Sequence, residues 1–177
     1  MATKQQIDFV KIVYPAALKN WETDRENSLH PIFVTAQAGL ETGWKIKGID
    51  NNILGITKGS SWTGPVKLVT TTEYFNTANK KFTLPEEVLS IVPRPEYGDF
   101  KYTVRRFFRV YDNISECLKD HGKVLRNKNF IFAWDKRDNP KEYVRLIGPI
   151  YATAKNYVPV MYGCVDTVER IVKEQGL

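Results

Sequence analysis

Apolar residues recur at mostly helical spacing in the first segment of the chain. Ile7, Val10, Ile12, Val13, Tyr14 and Leu18 are separated by charged positions such as Asp8 and Lys11. That period predicts an amphipathic helix over residues 4–20, closed by the polar run ETDRENS. A second helix starts near Pro31, with Ser28 positioned to cap it and His30 helping to start it, since proline is tolerated in a first turn. It carries Ile32, Phe33, Ala36 and Leu40 and stops at Gly43. Residues 48–65 are glycine-containing and polar and read as loop. The β-branched and aromatic run VKLVTTTEYF then predicts a strand over 66–75, with DFKYTVRRFFRVY, residues 99–111, as its partner. Residues 76–98 are too long for a tight turn and read as an elaborated tip on a two-stranded ribbon. Helical spacing returns with Ile114, Cys117, Leu118, His121, Val124 and Leu125 on one face. Asp112 or Asn113 is placed to cap this helix, and Asn113 to Glu116 resembles a capping box. A shorter helix follows Asn139-Pro140, and a last one runs from about residue 158 or 160 to 174. Two helices, a ribbon and three helices make an α+β chain: a mainly helical lobe, a small two-stranded β-ribbon lobe, and a groove between them for a ligand.

Composition narrows this modestly. With 177 residues the chain is long enough for one well-filled domain, and 42% hydrophobic with 26% charged residues is a globular profile. The net charge of +6 favours acidic partners, among which nucleic acid, anionic membrane and bacterial cell wall all qualify. Cys117 and Cys164 lie in no metal-binding spacing, so zinc and a disulfide framework are not indicated and both are expected to pack as small apolar residues. No run approaches the ~20 apolar residues of a membrane helix, so membrane insertion is not expected. The charges at Asp8 and Lys11 distinguish the N-terminal helix from a signal peptide. Action outside the cytoplasm then calls for lysis, another export route, or a leader beyond this sequence.

The candidate chemistry starts in TAQAGLETGWK, residues 35–45. Small and apolar residues lead up to one acid, Glu41, and Gly43 then breaks the helix. A carboxyl at such an end is either a solvated terminal charge or an acid held half-dry, with its pKa raised by burial as glycoside hydrolysis requires. Trp44, three positions on, is placed to shield it.

Context separates these readings. AQAGLETGW (36–44) and NNILGI (51–56) together resemble glycoside hydrolase family 73, the bacterial N-acetylglucosaminidases with a lysozyme-like core. TTTEYF (70–75) fits that family's strand ending in T-x-EY, FRVYDNISECLKDH (108–121) its strand-to-helix junction, and YATAKNY (151–157) its YATDPxY block. The blocks occur in the family's order across residues 36–157. The resemblance implies that Glu41 is the essential acid and Glu73 a base beyond the sugar. A tyrosine of the last block, Tyr151 in preference to Tyr157, is implied to assist. Asn51 and Asn52 either bind substrate amides or shape a turn, and Trp62 either stacks on a sugar or covers the core. Ala154-Lys155 replaces the usual Asp-Pro, which bears on loop geometry there, and the tip over 76–98 is longer than is common.

His121, on the apolar face of its helix, reads as a core histidine. In RRFFR, residues 105–109, alternation on a strand puts Arg105 and Phe107 opposite Arg106 and Phe108. One face then takes positive charge while the other packs, as suits an anionic glycan or single-stranded RNA. The expectation is a monomeric, lysozyme-like domain, free of metal or organic cofactor. It would cleave the β-1,4 bond after N-acetylglucosamine in bacterial peptidoglycan glycan strands, acting at the cell wall and on no nucleic acid. A muramidase and a non-catalytic wall-glycan-binding module are the alternatives, and retention of both Glu41 and Glu73 speaks against the second.

Overall fold

The computed structural model describes residues 1–46, 48–152 and 156–177. The chain divides into a helical unit, Met1–Leu54 with Tyr111–Leu177, and a second unit, Gly55–Val110.

In the helical unit, α1 spans Lys4–Thr23 and α2 Pro31–Thr42. The α1 start is a capping box: Gln6 N–H donates to the Thr3 hydroxyl, and Thr3 N–H to the Gln6 side chain. The cap of α2 is His30, whose Nδ1 accepts from Ile32 N–H at 3.3 Å. Ser28, the expected cap, is buried and donates to Asn20 O at 3.0 Å. It stands two residues before the cap position and so cannot reach the first turn. All residues from Pro31 to Gly39 are buried, so α2 is the central helix, and it packs on α1, α4 (Pro140–Tyr151) and α5 (Tyr157–Gln175). Its small residues permit that close approach. At its end Gly43 N–H donates to Leu40 O and Trp44 N–H to Gly39 O, the paired closure of a Schellman motif, with Gly43 left-handed at φ 60°.

The remaining helices follow Tyr111. In α3, Ile114–Val124, Asn113 accepts from Glu116 N–H at 3.0 Å, while Glu116 accepts from Asp112 N–H rather than from Asn113. The expected capping box is therefore shifted by one residue. A 3-10 turn over Ile131–Lys136, absent from the sequence reading, buries Ala133 and Trp134. Cys117 and Cys164 are free and buried, and desolvation pushes the Cys117 thiol up to about 12.

The second unit holds a three-stranded antiparallel sheet instead of the expected two-stranded ribbon. Its strands are β1 (Val66–Phe75), β2 (Glu87–Arg94) and β3 (Asp99–Arg109), in the order β1-β3-β2. The supposed tip supplies β2, which occupies the free edge of β3. Its first half folds back on the sheet: Phe82 and Tyr102 lie 6.2 and 5.0 Å from Phe75, and the Tyr102 hydroxyl donates to Thr77 O. Glu86 accepts from Phe107 N–H at 2.8 Å. Replacing residues 79–97 with a short Gly-Ser turn would strip β3 of one partner strand and of Phe82 and Glu86. Differential scanning calorimetry should show a lower melting temperature and a broadened transition, because two-stranded hairpins are marginal in water.

Candidate active site

Glu41 lies in the last turn of α2, and that position shapes its chemistry. The residue exposes part of its surface, yet protein crowds the carboxyl on its inner side. This burial raises the carboxyl pKa, and the neighbouring Tyr151 hydroxyl offsets part of the rise. Residue-level exposure and carboxyl-level burial differ here. The second governs the titration, because hydration of the carboxyl oxygens is what is lost. The negative end of the helix dipole acts in the same sense.

Tyr151 ends α4 and is half-buried. Its ring centroid lies 5.5 Å from that of Tyr157, 6.2 Å from Phe130 and 6.3 Å from His121. Burial, the nearby Glu41 charge and the second phenol hold the Tyr151 pKa well above its ordinary value. Tyr151 is thus a neutral hydroxyl beside the Glu41 carboxyl. Tyr157, the first residue of α5, is buried and accepts from the Gln37 amide at 3.0 Å. Sequence reasoning missed Gln37. It precedes Glu41 by four residues, so the two share a helix face, and that spacing was the available signal.

Trp44 folds back onto α2. A Cβ built at Gly39 would lie 2.5 Å from its ring, and Phe9 packs edge-on at 5.7 Å. Its place is against α1 and the back of α2. Asn51 has φ 65° and donates its side-chain amide to Tyr111 O and Asp112 O. Asn51 thereby ties its own turn to the start of α3. Asn52 is 2% exposed. Residues 153–155, including the Ala154-Lys155 departure, lie outside the described residues.

Glu73 belongs to the second unit, where it is half-buried on β1. A single guanidinium nitrogen, Nη1 of Arg106, reaches both its oxygens at 2.8 and 2.9 Å. Arg106 Nε also approaches Glu86 at 3.9 Å. The Trp62 N–H donates to Pro65 O, and the Arg109 guanidinium lies 4.9 Å from its ring. The basic run is not one free charged face. Arg105 pairs with Glu87 and Arg106 with Glu73, while buried Arg109 donates to Thr57 O and Lys58 O. A nucleic-acid groove needs such charges available to phosphate. Among the described residues no cluster of three His, Cys, Asp or Glu side chains is placed to hold a metal ion. No helix among them is long and apolar enough to cross a membrane.

An acid at the end of a buried helix, beside a phenol, is a setting suited to glycoside cleavage. The glucosaminidase family, described as mannosyl-glycoprotein endo-beta-N-acetylglucosaminidase, matches residues 19–170, and the chain belongs to that family of glycoside hydrolases. Peptidoglycan hydrolase FlgJ of Salmonella typhimurium is 31% identical over 132 residues, which cover 70% of this chain and 35% of that protein. The namesake from Escherichia coli K12 is 27% identical over 146 residues, 78% of this chain and 40% of the relative. This chain therefore spans little more than a third of the curated relatives it matches. Among solved structures, the catalytic domain of the autolysin Auto from Listeria monocytogenes has a TM-score of 0.66 at 20% identity, covering 98% of this chain and 89% of that one. The glycoside hydrolase domain of Salmonella typhimurium FlgJ also scores 0.66, at 22% identity, covering 96% and 91%. Both share the fold, the α+β, lysozyme-like class expected from the sequence.

Proposed function

We propose that this domain hydrolyses the β-1,4 bond after N-acetylglucosamine in the glycan strands of bacterial peptidoglycan, with Glu41 as the general acid. The observation that carries the reading is the setting of Glu41: a carboxyl at the end of a buried helix, its pKa raised by burial, with a neutral phenol as partner. An acid that keeps its proton toward neutral pH is what the leaving oxygen requires. As the glycosidic bond breaks, the proton passes from Glu41 to that oxygen. The nearby Tyr151 hydroxyl stabilises the resulting carboxylate as charge develops.

Glu73 is the proposed base, gripped by Arg106 with both oxygens engaged on one side. Tyr151 is the proposed auxiliary, and Trp44, Asn51, Asn52 and Trp62 have structural roles in this reading. The site of action is the cell wall, whose carboxylates and phosphates attract a chain of net charge +6.

Glu41→Gln is the direct test of the acid and is taken up in the Discussion. The bond cut is read separately. Borohydride reduction of digested wall should label N-acetylglucosamine ends. Labelled muramic acid ends would make the domain a muramidase and would sink the named activity while leaving the fold intact.

A further inference from the structure

Behind the Glu41–Tyr151 pair lies a buried polar chain that this mechanism does not use. His121 on α3 is 2% exposed and Gln37 on α2 fully buried. His121 Nε2 is 2.7 Å from Gln37 Oε1, and the Gln37 amide nitrogen is 3.0 Å from the Tyr157 hydroxyl. Tyr157 in turn lies beside Tyr151 and close enough to Glu41 to feel its charge. The chain links three helices and ends at Tyr157, near the proposed acid.

Two proton arrangements satisfy both hydrogen bonds. In the first, His121 carries its proton on Nε2 and donates to the Gln37 carbonyl. The Gln37 amide then donates to Tyr157, and the Tyr157 proton turns away from Gln37. In the second every direction reverses: the proton sits on Nδ1, the Gln37 amide is flipped, and Tyr157 donates to it. The far end decides between them. His121 Nδ1 is buried with no hydrogen-bond partner among the described residues. An orphaned acceptor lone pair is tolerated better than a buried N–H with no acceptor. A doubly protonated ring would place a charge in the same dry site, and desolvation holds the His121 pKa down at about 4.

We infer that His121 and Gln37 are positioning residues that fix Tyr157 as an acceptor toward Gln37, so that its O–H dipole faces the Glu41–Tyr151 pair. This rests on the assignment of Glu41 as the acid. A phenol proton held in that direction stabilises the carboxylate that forms as Glu41 gives up its proton, without reorganisation during the step. It acts on the transition state, and so on kcat more than on KM.

The arrangement is testable without turnover. Long-range proton–nitrogen correlation NMR of the intact domain should report His121 as the Nε2–H tautomer; an Nδ1–H tautomer overturns the proposal. On a soluble N-acetylated oligomer, Gln37→Met and Tyr157→Phe should each lower kcat by about 10-fold with KM changed less than about 2-fold. The double variant should lose little more than either single one, because both break the same path. Multiplying losses in a folded double variant would also overturn it. Should a variant fail to fold, the tautomer of the unaltered chain still decides. Glu41→Gln is judged by activity and the tautomer by spectroscopy, so the two assignments fail separately.

Discussion

Glu41→Gln is expected to lower the hydrolysis of purified peptidoglycan by at least ~10²-fold, the lower range for losing an acid catalyst. Glutamine keeps the shape and the contact with Tyr151 but has no proton to give. Stability should move the opposite way. Because burial raises the folded-state pKa of Glu41, the folded chain binds that proton more tightly than the unfolded one. The resulting contribution to stability is complete below the ordinary carboxyl pKa of about 4.3 and is lost as pH rises through the raised value. At neutral pH the native residue therefore carries a cost that glutamine does not. Melting temperatures of the two proteins should converge in acid, and the variant should be the more stable at pH 7. The activity of the native enzyme should also fall as pH rises through the raised pKa, since only the protonated form donates. Wild-type-like lysis by the Gln variant would refute the assignment.

Glu73→Gln is expected to cost nearly as much, within about 10-fold of the loss at Glu41. An inverting route needs a carboxylate to take a proton from the attacking water, and Glu73 is the second acid that the sequence pattern singles out. Its environment calls for a control. Glutamine would also turn an amide toward the Arg106 guanidinium that now grips both oxygens. Arg106→Met removes the ion pair but leaves the carboxylate, and should retain more activity than Glu73→Gln. The product should appear first as the α-anomer in proton NMR of a fresh digest of a soluble oligomer. An initial β product, together with an active Glu73→Gln enzyme, would point to attack by the substrate's own acetamido oxygen and remove Glu73 from the pair. Either outcome leaves the proposed role of Glu41 intact.

What the sequence carried by itself was whatever depends on near neighbours along the chain. The period of α1, the Pro31 start and Gly43 stop of α2, and the β-branched run of β1 are local signals, and each element formed where its pattern lies. The order of the family's blocks likewise made Glu41 conspicuous without any coordinates. The tertiary structure decided the features whose partners are remote. Strand β2 shows no alternation of burial to mark it, and it exists because β3 has a free edge to pair with. Sequence could not say whether Asn52 faces inward, because a turn reads the same from either side. Gln37 joins His121 across 84 positions and Tyr157 across 120. No window along the chain contains such a pairing. Glu41 was visible as an acid at the end of a greasy helix, but its half-dry carboxyl depends on what the fold packs around it, and the opposing effect of Tyr151 on α4 bringing that hydroxyl near. Burial and hydrogen bonding set a pKa, and both are properties of the folded neighbourhood rather than of the segment.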